Sequence, residues 1–195
     1  MSIFYNDIMF DCETMSTRPN ALVWQIAGVP FNAATGEISS WLPLVDLNVF
    51  IDWTQSNTGA YHTDENTIHW WKTQSNYQRM LDRLNQYGIP PAEAATKLVN
   101  WVRFVASRGA EPSAPVRVWS YGANADISWL EYLLAQHNYP TPWSYRNVRC
   151  LRTLCALYPD VEVVRPVEAH DAASDAVAQA QTVIKIFKEK GLTNV

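Results

Sequence analysis

Apolar and polar positions alternate along this chain with two different periods. The run Ile8-Met9-Phe10 closes a stretch over 4–11 that reads as a buried strand. Leu22, Val23, Ile26, Val29 and Phe31 predict a second strand over 22–31. A turn-like segment from Asn32 to Glu37, with Gly36 inside it, leads to an expected third strand over 38–45. These three form an antiparallel start, and the polar and aromatic stretch 48–62 reads as a loop. Helical spacing then runs from Asp64 to Gln74 and from Tyr77 to Leu84. Pro90 and Pro91 suit the opening of a helix that ends near Ser107, with Leu98, Val102 and Val105 as its apolar face.

The second half begins with a short strand, Val116 to Ser120, and Asn124 is the expected cap of a helix carrying Ile127, Leu130 and Leu134. Beyond Pro140 and Pro142 the pattern predicts a helix from Val148 to Leu157, then an extended piece from Val161 to Val164 that could be a strand. A last helix spans Ala172 to Lys190, buried through Val177, Ala180, Ile184 and Phe187. Lys185, Lys188 and Lys190 suit its negative end, and Gly191 suits its cap. The order predicts an α/β fold, with residues 1–195 forming one domain.

Composition narrows the class. Of 195 residues, 48% are hydrophobic and 17% charged, enough apolar material for a full core and too little charge for disorder. No apolar run approaches the roughly 20 residues that span a bilayer, so no membrane partner is expected. Residues 1–7 lack the basic-then-apolar order of a signal peptide. Cys12, Cys150 and Cys155 are odd in number and form no CxxC pair, which argues against a disulfide framework or zinc site and for a reducing cytoplasm.

Candidate chemistry lies in the acids. Asp11 and Glu13 are two apart at a strand end, so both point to one face, with Cys12 on the other. Such a pair repels itself unless a cation intervenes. By itself it is also common on ordinary surface strands. Asp126 begins the helix after the fourth strand, and Asp175 lies in the first turns of the last helix. Each could equally be a charge at a positive helix end. His170 precedes Asp175 by five residues, about 140° round a continuous helix, which places the histidine on a loop leading into it. Asp171 reads as a cap or first-turn charge.

In combination these residues follow the chain order DxE…D…HxxxxD. The stretches Ile8-Met9-Phe10-Asp11-Cys12-Glu13-Thr14, Asn124-Ala125-Asp126 and Ala169-His170-Asp171-Ala172-Ala173-Ser174-Asp175 together resemble the DEDDh exonucleases. That group includes polymerase proofreading subunits, RNase T and oligoribonuclease. Thr67-Ile68-His69-Trp70-Trp71 with Gln74, Val118-Trp119 ahead of Gly122, and Arg149-Cys150-Leu151-Arg152 resemble its compact bacterial and phage branch. This branch holds small 3′-5′ exoribonucleases, phage exonuclease A and the nuclease domain of exonuclease VIII. Ala125 and Cys150 depart from the branch, where an aromatic residue and an acid are frequent.

The resemblance implies a ribonuclease-H-like mixed sheet, three antiparallel strands then parallel ones, flanked by helices. It implies a 3′-5′ exonuclease that releases nucleoside 5′-monophosphates with two divalent cations, Mg²⁺ or Mn²⁺, held by Asp11, Glu13, Asp126 and Asp175. Oxygen ligands suit such ions, and two of them can serve both ends of an in-line displacement. His170 would be the general base. Thr14 and Met15 would meet the terminal nucleotide, although Met15 could equally be core. Trp70 and Trp71 could stack bases and Arg149 and Arg152 could bind phosphate, or all four could serve packing and solvation. The implied partner is single-stranded or 3′-overhang RNA or DNA, in the cytoplasm of a bacterium or a phage-infected bacterium, and a homodimer is expected by analogy. Four carboxylates in one metal site would account for the whole net charge of −4. Two other readings remain at this point: an idle nucleic-acid-binding module of the same fold, and a small-nucleotide phosphoesterase.

Overall fold

A computed structural model describes residues 5–39, 46–54, 56–107 and 115–193. Five strands form one sheet in the order β3-β2-β1-β4-β5. β1 is Asp7–Thr14, β2 is Val23–Phe31 and β3 is Leu47–Phe50. These three pair antiparallel. β4 is Arg117–Ser120 and β5 is Val148–Cys150, and both run parallel to β1. The helices are α1 (Glu65–Thr73), α2 (Tyr77–Tyr87), α3 (Pro91–Ser107), α4 (Asp126–Gln136), α5 (Leu151–Leu157) and α6 (Ala172–Lys190). None of the described helices is long and apolar enough to cross a membrane.

The two-residue period of β1 sorts its side chains between two cores. Ile8, Phe10 and Cys12 face the layer that contains Leu98 and Val102 of α3 and Leu130 of α4. Met9 faces the layer that contains Ala176, Ala180 and Val183 of α6. Asp7, Asp11 and Glu13 share the Met9 parity and so look toward α6. Every residue of β2 is buried. At Gly28 an added Cβ would lie 2.6 Å from the Trp101 ring, so only glycine lets α3 sit this close.

Asp7 ties three parts of the sheet together. Its fully buried carboxylate accepts from the backbone N–H of Ala33 (3.1 Å) and from Trp119 Nε1 (2.8 Å). Arg117 Nε and Nη2 donate to its two oxygens at 2.7 and 2.8 Å. The pair joins the first residues of β1 and β4 and the turn after β2.

The structure departs from the sequence expectations at three elements. The third strand is Leu47–Phe50, all but its first residue inside the 48–62 stretch expected to be loop. Of the expected 38–45, residues 40–45 lie outside the described residues, and Ile38 makes an isolated bridge to Phe31. With Asn48 exposed and only four residues paired, this strand carries too short an alternation to be read. The expected helix from Val148 begins instead as strand β5, because Val148, Arg149 and Cys150 pair with Val118, Trp119 and Ser120. The Val161–Val164 piece joins no sheet, and the Val164 N–H is taken by Thr182 Oγ1 at 3.0 Å. A smaller shift concerns α4, whose cap position is Ala125 rather than Asn124 and makes no side-chain bond. The left-handed Gly191 (φ 63°) ends α6 as expected.

Replacing Asp7 by alanine removes the acceptor shared by Arg117, the buried Trp119 Nε1 and the Ala33 N–H, and breaking a buried ion pair of this kind costs about 3–5 kcal/mol. Chemical denaturation of Asp7→Ala should show that loss, and an unchanged midpoint would refute the anchoring role.

Candidate active site

The carboxylates meet at the end of β1. Asp11 and Glu13 project toward α6, where Asp175 lies in the first turn. One oxygen from each of the three lies within 4.8 Å of the others. Asp126 begins α4, directly beyond the end of β4, and its Oδ1 accepts the backbone N–H of Cys12 at 3.2 Å. It thus stands beside the group of three, attached to the same strand, rather than within it.

Burial and crowding act in one direction here. Burial pushes the Asp11 carboxyl well above the usual range, and the charges of Asp126, Glu13 and Asp175 push it further. Glu13 is raised well above its usual range by burial, with Asp175 and Asp126 adding to the effect. Asp126 is raised by burial to about 6, opposed by the Cys12 N–H and by the nearby charge of Arg152. Asp175 is raised by burial and held back by the backbone N–H and the charge of His170. Such a group of oxygen donors, costly as bare anions, fits a hard divalent cation.

His170 lies on the loop before α6, as the five-residue spacing required, in the left-handed region at φ 61°. Its ring stands edge-on to Trp70, with centroids 4.8 Å apart. Asp171 caps α6, accepting from the Ala173 N–H at 3.1 Å, and also receives Arg83 Nη1 at 2.5 Å and Gln25 Nε2 at 3.2 Å.

A cleft of about 470 Å³ opens beside Glu13 and Thr14, and Asn66, Thr67, Trp70 and Trp129 also line it. Trp70 is 41% exposed and can offer a ring face to solvent. Trp71, paired with it in the sequence expectation, is instead buried at 1% exposure, because its Nε1 donates to the Thr14 carbonyl at 2.9 Å and its ring packs against Trp24. Trp71 therefore fixes the backbone at Thr14 rather than standing free to stack. Thr14 is buried, and its hydroxyl donates to the Ser16 carbonyl at 2.7 Å. Met15 packs, half-buried, against the Trp24, Trp71 and Met80 cluster. Arg152 lies over the Tyr121 ring at 5.2 Å, on the Asp126 side of the site. Arg149 donates to the backbone carbonyls of Arg146 and Val148.

Two residues escaped the sequence reading. Gln179 Nε2 donates to Asp11 Oδ1 at 2.6 Å. Its signal was available, since it lies four residues after Asp175 on the same face of one helix. Asn76 contacts the His170 loop from a remote part of the chain, and no local pattern announces that.

A five-stranded mixed sheet with this arrangement of acids defines a ribonuclease-H-like nuclease of the DEDD kind. Solved structures of this fold include S. pombe Pop2p in an Mg²⁺- and Mn²⁺-bound form (TM-score 0.59, 14% identity, 98% of this chain and 86% of that one). Apo exonuclease I is similar over 98% of this chain and 44% of its own (TM-score 0.65, 13% identity), so the chain spans less than half of that protein. Cell-death related nuclease 4 matches over 97% of this chain and 66% of its own (TM-score 0.58, 16% identity). No curated protein matches in sequence. Residues 6–187 match the model of the 3′-5′ exoribonuclease Rv2179c-like domain, and the chain belongs to that family of 3′-5′ exonucleases.

The raised carboxyls have a stability consequence. A carboxyl whose folded pKa is raised favours the fold while protonated, and that contribution is lost as pH rises through the folded value. For Asp126 the window runs from 3.8 to about 6. In EDTA, melting temperature should therefore fall across this range, and less so in Asp126→Asn. Mn²⁺ at about 100 times its dissociation constant should restore about 2.7 kcal/mol at pH 8, and Asp11→Asn should remove most of that gain. Equal melting with and without metal at pH 8 would contradict the site.

Proposed function

We propose that the chain hydrolyses phosphodiester bonds one at a time from the 3′ end of single-stranded or short RNA, releasing nucleoside 5′-monophosphates. The observation that carries this reading is the meeting of Asp11, Glu13 and Asp175 within 4.8 Å, beside Asp126 and under the His170 loop. The family description favours RNA over DNA. Residues 1–195 act as one catalytic domain, of the compact bacterial and phage kind.

Asp11, Glu13 and Asp175 would hold a divalent cation, and Asp126 would support a second. Mg²⁺ or Mn²⁺ suits these oxygens, and both are bound in the Pop2p structure. Bound there, the ions supply an activated water and neutralise charge on the leaving 3′ oxygen. His170, between Trp70 and Asp175, accepts the proton of the attacking water on a ring nitrogen. Gln179 holds Asp11 in place. Trp70 takes a base of the substrate on its exposed face, and the cleft beside Thr14 receives the terminal nucleotide. Arg152, on the Asp126 side, meets a phosphate of the strand.

Matched single-stranded RNA and DNA oligomers, labelled at the 5′ end, test this directly. In Mn²⁺ the RNA should shorten in single-nucleotide steps, faster than the DNA, and EDTA or Asp11→Asn should abolish cleavage. His170→Asn should lower kcat by about 10²- to 10⁴-fold, the usual worth of a general base. Intact oligomers in every metal, or cleavage inside the chain, would sink the proposal.

A further inference from the structure

The loop that carries His170 is held from outside by α2. Asn76 precedes α2 and is 8% exposed, yet its side chain makes no capping bond to its own helix. Instead Nδ2 donates to the carbonyl oxygens of Ala169 at 3.1 Å and of His170 at 2.9 Å. Arg79 and Arg83, one and two turns further along α2, pair with Glu168 and Asp171 on either side of the same loop.

The two carbonyls belong to the peptide planes on either side of His170. Holding both planes holds the residue's φ and ψ together. That matters here because φ is 61°, a left-handed conformation that is strained for a residue with a Cβ. Such backbone persists only where its surroundings over-determine it. An amide has two N–H donors, and Asn76 directs its Nδ2 group at these two acceptors.

We propose that Asn76 is a positioning residue for the reaction: by binding the carbonyls on both sides of His170, it holds the imidazole beside the carboxylates. This rests on His170 being the general base. Asn76 touches neither the carboxylate group nor the cleft, so it acts on turnover through His170 and leaves metal and substrate binding alone.

Asn76→Asp is the informative variant. It keeps the shape and suits the start of a helix, so α2 retains its stability. An ionised aspartate has no N–H to donate, so both bonds to the loop are lost. On a single-stranded RNA oligomer with Mn²⁺, kcat should fall about 10- to 100-fold, as for other supporting contacts around a reacting group. KM and the melting shift produced by Mn²⁺ should stay at wild-type values. Asn76→Ala should show the same fall in kcat. In a His170→Asn background, Asn76→Asp should change kcat by less than about twofold, because residues acting as a unit are not additive. A full further loss in that background would overturn the proposal. So would wild-type kcat in Asn76→Asp where His170→Asn is slow. A fast His170→Asn enzyme would instead overturn the assignment of the base, and this proposal with it.

Discussion

Charge repulsion at the end of β1 is the constraint to which the rest of the structure answers. Asp11, Glu13, Asp126 and Asp175 are held closer than bare anions favour, and burial, nearly full for Glu13 and Asp126 and partial for Asp11 and Asp175, limits the water that would screen them. The scaffold tolerates this because each acid is attached to a rigid element. Two sit on a strand paired with β2 along its whole length and with β4 over its first three residues, one opens α4, and one lies in the first turn of α6, which lies on the sheet face that Met9 shares. The supporting bonds stiffen the arrangement without neutralising it: Gln179 to Asp11, and the Cys12 N–H to Asp126. Among the described residues no basic side chain is paired with the group of three in the way Arg117 is paired with Asp7, and the donor set suits a cation. Elsewhere a buried acid is handled in the opposite way. Asp7, on the same face of β1, receives an arginine, an indole and a backbone N–H, and so carries no unmet demand.

Much of this could be read from residue order alone. The parity of Asp11 and Glu13, the five-residue gap that puts His170 on a loop, the cap at Asp171 and the long amphipathic α6 all depend on spacing within one element, and all appear in the structure. What stayed hidden depends on pairing across the chain. β5 looks helical by its own residues and becomes a strand only because β4 offers an open edge. β3 is too short for alternation to announce it, with Asn48 exposed between buried neighbours. Trp70 and Trp71 are adjacent in sequence and divided in space, one at the cleft and one locked to the Thr14 carbonyl, since helical geometry turns neighbours about 100° apart.

The same distinction separates the two residues that sequence missed. Gln179 belongs to the helix that carries Asp175, and its four-residue offset is a local fact. Asn76 meets Ala169 and His170 across more than ninety positions, and its contact exists only once α2 has docked. Site chemistry on this scaffold is thus partly written in short motifs and partly supplied by helices that own none of them.

Docking of α2 is also a light attachment among the parts that serve the site. Only Met80 of its eleven residues is buried, against eight in α6. Regions with so little buried contact open at lower free energy than the core that supports them. On that ground α2 should open before the sheet does, and the His170 loop should lose its outer contacts with it. If α2 holds the loop as proposed, inactivation and unfolding become two separate events, with support for the loop lost while the sheet beneath it is still intact.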